Sequence, residues 1–257
     1  MSGGPAVDEA GEVVGVNTAS RRKDQLIGLL SPAENVTRLL AAFSEDLMFS
    51  PDELRGQIET QVVGFSNRLA QEVLAYATDK VVSGHFDLPS KFQEKARCYG
   101  QTEKNATHRF KVATNYCSLR GGIFVNDAIR VGTLSVQHRR VYGEALTPSQ
   151  IAAVQNELSE SDVENSGSPV EDKTGWKCEY TRVELQAGTV GGLHACQRGF
   201  TKLKKVKDFY FLFASRPIRG EGLLTEIKFN GITDADAKKM VKHFLLQIHE
   251  AANRSAS

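Results

Sequence analysis

The sequence predicts an α+β fold: a helical N-terminal segment, then two largely antiparallel β regions, each closed by a helix. Three observations predict it. Apolar residues recur at helical spacing up to about residue 82. Beyond that the chain breaks into short runs rich in Phe, Val, Ile, Thr and Tyr, punctuated by glycines. Each β region then ends in a glycine followed by a threonine placed to cap a helix. Val141-Tyr142-Gly143 leads to Thr147-Pro148, and Phe229-Asn230-Gly231 leads to Thr233-Asp234. This parallel raises a β-β-β-β-α duplication beside ordinary α+β alternation.

Residues 1–22 are rich in Gly, Ala and acidic residues without periodicity, and read as a flexible tail. Residues 23–83 read as the helical segment. Ser31-Pro32-Ala33-Glu34 has the form of a capping box, because Ser accepts from free N–H groups, Pro fits the first turn and Glu reaches back. Its helix is expected to bury Val36, Leu39, Leu40, Phe43 and Leu47. Ser50-Pro51-Asp52-Glu53 repeats the device and opens the longest helix, expected to reach about Val82. Its apolar residues Leu54, Ile58, Val62, Phe65, Leu69, Val73 and Tyr76 follow an 11-residue period, which keeps them on one face. Such a stripe needs a cover, either the rest of this chain or a partner protein.

The first β region with its helix spans 84–158, the helix carrying Ile151, Val154 and Leu158. Residues 159–172 read as an acidic linker. The second β region and C-terminal helix span 173–257, the helix burying Ala237, Val241, Phe244, Leu245 and Ile248. Lys207–Ala214 alternates Phe209, Phe211 and Phe213 with Tyr210 and Leu212. It is apolar on both faces, which places it centrally.

The cysteines, Cys98, Cys117, Cys178 and Cys196, form no CxxC or CxH pair. Only His108 and His194 lie near one, at spacing unsuited to zinc, so buried free thiols and no metal are expected. With no basic and apolar leader at the N-terminus, the protein reads as intracellular. No run approaches the roughly 18–20 apolar residues of a membrane span, so no membrane partner is expected.

A formal net charge of +1 looks neutral, but its distribution is not. Residues 84–145 hold ten basic and five acidic residues, and residues 173–232 hold eleven and five. Residues 146–172 hold six acidic residues and none basic. Basic side chains interleaved with aromatic ones suit single-stranded nucleic acid, where charge follows the phosphates and rings stack on bases. The candidate contacts are Arg139, Arg140, Lys202, Lys204, Lys205 and Lys207, with Tyr210 as a stacking ring. Alternating lysines also serve as edge-strand guards against aggregation. The acidic linker is expected to compete for the basic surface.

No GxGxxG after a strand, GxxxxGK[ST], GxSxG or HExxH occurs, and the histidines are scattered. No catalytic residue and no cofactor are therefore expected. The order of two strand-rich units, each closed by a helix, resembles in outline the repeat of purine-rich-element-binding and Whirly-type single-strand binders. No stretch diagnostic of either family is present, and no membership is read from the outline. The expected function is non-catalytic binding of RNA or single strands. The alternative is an assembly subunit, as a homo- or hetero-oligomer, holding a partner protein through Leu54, Ile58, Val62, Phe65, Leu69 and Val73. An enzyme on an unfamiliar scaffold comes third.

Overall fold

A computed structural model describes residues 3–20, 28–42, 50–105, 110–119, 122–125, 129–164, 172–185 and 188–250. Phe43, Leu47, His108 and residues 165–171 of the expected acidic linker lie outside these residues, and its residues 159–164 are helix rather than linker. The chain divides into two units, residues 1–52 and 53–257.

In the first unit the stretch expected to be a tail forms a hairpin. Strand β1 (Pro5–Val7) pairs antiparallel with β2 (Val13–Ser20), and β2 with β3 (Gly28–Pro32). The Asp8 carboxylate nucleates the turn by accepting from the backbone N–H groups of Ala10 and Glu12. Helix α1 (Ala33–Ala42) follows. Its expected buried stripe is not buried, since Leu39 and Leu40 are exposed. Three short strands and one helix offer too little apolar surface to sequester them.

The second unit opens with α2 (Pro51–Ala75), which begins at the proline-led cap the sequence marks. It stops seven residues before the expected end. The β-branched pair Val81-Val82 instead belongs to β4 (Lys80–Ser83), a hairpin partner of β5 (Phe86–Pro89). Strands β6 (Arg97–Asn105) and β7 (Phe110–Leu119), short β8 (Ile123–Phe124) and β9 (Arg130–Val131), and β10 (Thr133–Tyr142) lead to α3 (Pro148–Glu164). Then come β11 (Lys177–Glu184), β12 (Val190–Gly199), β13 (Lys207–Ser215), β14 (Glu221–Ile232), α4 (Asp234–Leu245) and β15 (His249–Glu250).

The main sheet has seven strands in the order β11-β12-β13-β14-β10-β7-β6, every pair antiparallel. Strand β13 lies inside the sheet, as its two apolar faces require. Helices α2 and α4 cover one face through Leu69, Val73, Met240 and Phe244, packed on Phe213, Ile227 and Phe229. Helix α3 lies on the other, with Ile151 against Val112 and Val141. The fold is thus α+β. The helices that follow β10 and β14 occupy opposite faces. A two-fold normal to the sheet relating these antiparallel neighbours would keep both helices on one face, so the arrangement lends a duplication no support.

Two caps follow the sequence pattern. Thr147 Oγ1 accepts from Gln150 N–H while the Gln150 side chain accepts from Thr147 N–H. Thr233 Oγ1 accepts from Asp236 N–H, and the buried Ser66 hydroxyl of α2 donates to the Asp236 carboxylate.

The α2 stripe finds its cover inside the chain. Val62, Leu69 and Val73 are buried, Ile58 and Phe65 are partly buried against core clusters, and Leu54 is exposed. A Cβ at Gly132 would fall 2.2 Å from the Phe65 ring, so this glycine admits the helix to the sheet. The stripe is therefore core, the first of the two covers its pattern calls for, and not the partner interface of the alternative reading. Burial of each such side chain contributes roughly 1.5–3 kcal/mol, which a partner can no longer draw on. Among the described residues, no helix is long and apolar enough to cross a membrane.

Candidate anion-binding cleft

The residues expected to contact nucleic acid do not converge. Arg139 and Tyr210 are buried on the α3 face of the sheet, and the Tyr210 hydroxyl donates to Glu226. Burial and the neighbouring Glu226 carboxylate push the Tyr210 hydroxyl pKa up, and burial pulls that of Arg139 down. Neither is open to a ligand. Arg140 pairs with Glu221 at 2.7 Å and lies 3.9 Å from the Tyr142 ring centroid. Lys202 pairs with Asp172, Lys205 lies against Glu59, and Lys207 pairs with Asp234. Lys204 is exposed. Lys202, Lys204 and Lys205 lie outside any strand and Lys207 opens β13, while Leu203 and Val206 turn inward to pack with Phe200 and Val62. Their burial, rather than β alternation, sets where the lysines point.

A different set of residues does converge. Helix α3 crosses the α3 face over β14 and β10 and leaves the β11–β13 end of that face open. The opening is a cleft of about 1140 Å³. Gln155 holds the helix at its rim, its amide donating to the carbonyls of Ser215 and Leu223. Because strand side chains alternate, register puts Arg182 opposite Gly192, Tyr180 opposite His194, and Cys178 opposite Cys196, all on this face. Gly192 makes room for this ring: a Cβ there would fall 2.3 Å from the Tyr180 hydroxyl, so a larger residue would displace the ring from where it lies. Tyr180 nonetheless stays 76% exposed, an aromatic face available to a ligand. Arg216 follows β13 at the same end.

Among the described residues, the cleft lining contains Arg182, Arg216 and His194 and no carboxylate. Neither arginine has an ion-pair partner among the described residues. Buried positive charge elsewhere in this unit is neutralised: Lys173 and Arg198 both bond Asp208 Oδ2, at 2.8 and 3.0 Å. The cleft is thus where cationic side chains and an open aromatic ring meet without compensation, an arrangement that favours an anion with a flat group attached.

The four cysteines are paired rather than free, one pair beside the cleft and the other on the far edge of the sheet. Cys98 bonds Cys117 and Cys178 bonds Cys196, each pair directly opposite on neighbouring strands. This corrects the expectation of free thiols. Cys178, His194 and Cys196 gather within 4.8 Å of one another as the described group able to hold a metal ion. Sequence spacing hides that group, because Cys178 reaches the others only across the β11–β12 register. The His194-x-Cys196 step was its one sequence signal, legible once the segment is known to be a strand.

No family model matches the chain, and no curated protein matches it. Among solved structures it is similar to the solution structure of cyanobacterial PsbP (CyanoP) from Synechocystis sp. PCC 6803, at 8% identity and a TM-score of 0.27. The match covers 59% of this chain and 92% of that one, a likeness too slight to carry any argument.

Proposed function

We propose that the protein binds nucleic acid without catalysis, taking RNA or a single strand in the cleft beneath α3. The observation that carries this reading is the convergence of Arg182 and Arg216 near the exposed Tyr180 ring, in a lining that among the described residues holds no carboxylate and no ion-pair partner for either arginine. Phosphates would be held by the arginines while a base stacks on Tyr180, a contact worth about 1–3 kcal/mol. The reading keeps the class expected from charge distribution and moves the site from Arg139, Arg140, Tyr210 and the lysine cluster to the cleft.

Filter binding of single-stranded RNA at two salt concentrations tests it. Affinity should fall steeply with salt, and Arg182→Ala/Arg216→Ala should weaken binding by roughly tenfold or more and flatten the salt dependence. Absence of binding at low salt, or binding that the double variant leaves unchanged, overturns it.

A further inference from the structure

We propose that Cys178, His194 and Cys196 form a redox-gated zinc site on the β11–β12 edge, closed while the two cysteines are bonded and opened when they are reduced. This goes beyond anion binding and does not depend on Arg182, Arg216 or Tyr180.

The geometry carries it. Strand register sets Cys178 directly opposite Cys196, with Cα atoms 4.0 Å apart, and His194 lies two residues before Cys196 on the same face. The His194 Nε2 atom lies 3.6 Å from Cys196 Sγ. With Zn–S of about 2.3 Å and Zn–N of about 2.1 Å, tetrahedral ligation places a ligating sulfur and nitrogen about 3.6 Å apart. The imidazole therefore already stands at ligand distance. Two thiolates with one imidazole is a set that selects zinc over hard cations. His194 also belongs to the cleft wall, so the fourth position is left to water or to a cleft ligand. Cys178 is exposed on the edge strand, where a reductant can reach it.

The chemistry balances with a dithiol as reductant. One of its thiolates attacks the Cys178–Cys196 bond, and its second thiol resolves the mixed disulfide. Two electrons and two protons pass to Cys178 and Cys196, and the reductant leaves as its own disulfide. Zn²⁺ then releases those two protons to solvent and binds both thiolates and the neutral imidazole.

The molecule contains its own control. The Cys98–Cys117 pair on the opposite edge has the same cross-strand placement, with Asn115 where His194 stands, two residues before the second cysteine. Asn115 Oδ1 lies 3.9 Å from Cys117 Sγ. A carboxamide is not among the usual zinc ligands, so this pair should bind zinc far more weakly.

The experiment reduces the full chain with a dithiol, removes the reductant without oxygen, and titrates Zn²⁺ against a chromophoric chelator with no nucleic acid present. One zinc per reduced chain is expected, with none taken up by the oxidised chain. His194→Asn should weaken binding roughly tenfold or more. Cys98→Ser/Cys117→Ser should still bind one, and cobalt substitution should show thiolate-to-metal absorption. Circular dichroism of each reduced protein checks that it is folded. Should reduction unfold the wild type, the site fails as proposed. Zinc uptake by the oxidised chain, or uptake that His194→Asn leaves unchanged, also overturns it. Loss of RNA binding without loss of zinc would sink only the nucleic-acid reading, and the converse only this one.

Discussion

The two edges of the main sheet begin alike and end differently. On one, β6 and β7 carry Cys98 and Cys117 with Cα atoms 4.1 Å apart; on the other, β11 and β12 carry Cys178 and Cys196 at 4.0 Å. Each pair closes a hairpin of similar length, with sequence separations of 19 and 18. The first pair faces α2 and α4, where Cys117 joins the main core. The second faces the cleft side, beside His194 and Tyr180. Cys117 of the first pair is buried in that core, whereas beside the second Tyr180 lies against a glycine and keeps a free face. The same backbone device is thus a staple where neighbours fill the space and a site where one helix leaves it open. Side chains two residues from a cysteine, and the face they share, decide between the two.

The largest expected effect lies at the anchor of the cleft-side edge. Asp208 is fully buried, accepting from Lys173, Arg198 and the Gly231 N–H. Asp208→Ala strands two buried cations and should cost about 3–5 kcal/mol in urea unfolding. The β6 edge has no such centre among the described residues, so a matching loss there would contradict the contrast.

Breaking either disulfide should cost about 3 kcal/mol, because the closed loops are nearly equal. Cys98→Ser/Cys117→Ser and Cys178→Ser/Cys196→Ser should therefore lower the denaturation midpoint comparably, while only the second abolishes zinc uptake. Unequal midpoints would show that packing around the pairs, not loop closure, sets their worth.

A comparable effect comes with pH and belongs to neither edge. His138 is buried between strands, with Nε2 donating to the Pro89 carbonyl at 2.7 Å and Nδ1 accepting from Thr225 at 2.9 Å. Burial lowers its pKa from 6.5 to about 4. The unfolded chain binds this proton first, so the contribution is full above pH 6.5 and is lost as pH falls through 4. Urea titrations should show roughly 3 kcal/mol disappearing over that window, and His138→Gln should remove that part of the slope.

The smallest effects sharpen the comparison. Asn115→His should give the reduced chain a second zinc site, detected as a rise in stoichiometry from one to two. Replacing Glu160, Asp162, Glu164 and Glu171 by glutamine should tighten RNA binding at low salt if these acids compete for the cations, and unchanged affinity would dismiss that competition.

The fold was legible where the signal is local. Thr147 with Gln150, and Thr233 before its acidic turn, cap the helices their residue types announce. The α2 periodicity marks a buried face, and the phenylalanines of β13 mark an interior strand. The site was less legible. Arg139 and Tyr210 read as surface contacts, because a strand's alternation says which residues share a face but not which face a helix will cover. Lys202, Lys204 and Lys205 read as a strand edge because the lysines look like alternation, although the segment is irregular and is set by the burial of Leu203 and Val206.

By itself, then, the sequence determined the helix starts, the change from helical to strand texture, and a segregation of charge that a net of +1 conceals. These depend on residues within a few positions of one another, where propensity, capping and periodicity act. The tertiary structure alone decided that four cysteines meet in pairs, that His194 joins one pair, and that Arg182, Arg216 and Tyr180 share an open cleft. Those meetings depend on strand register and on where α3 stops covering the sheet, which arise from packing between segments far apart in the chain.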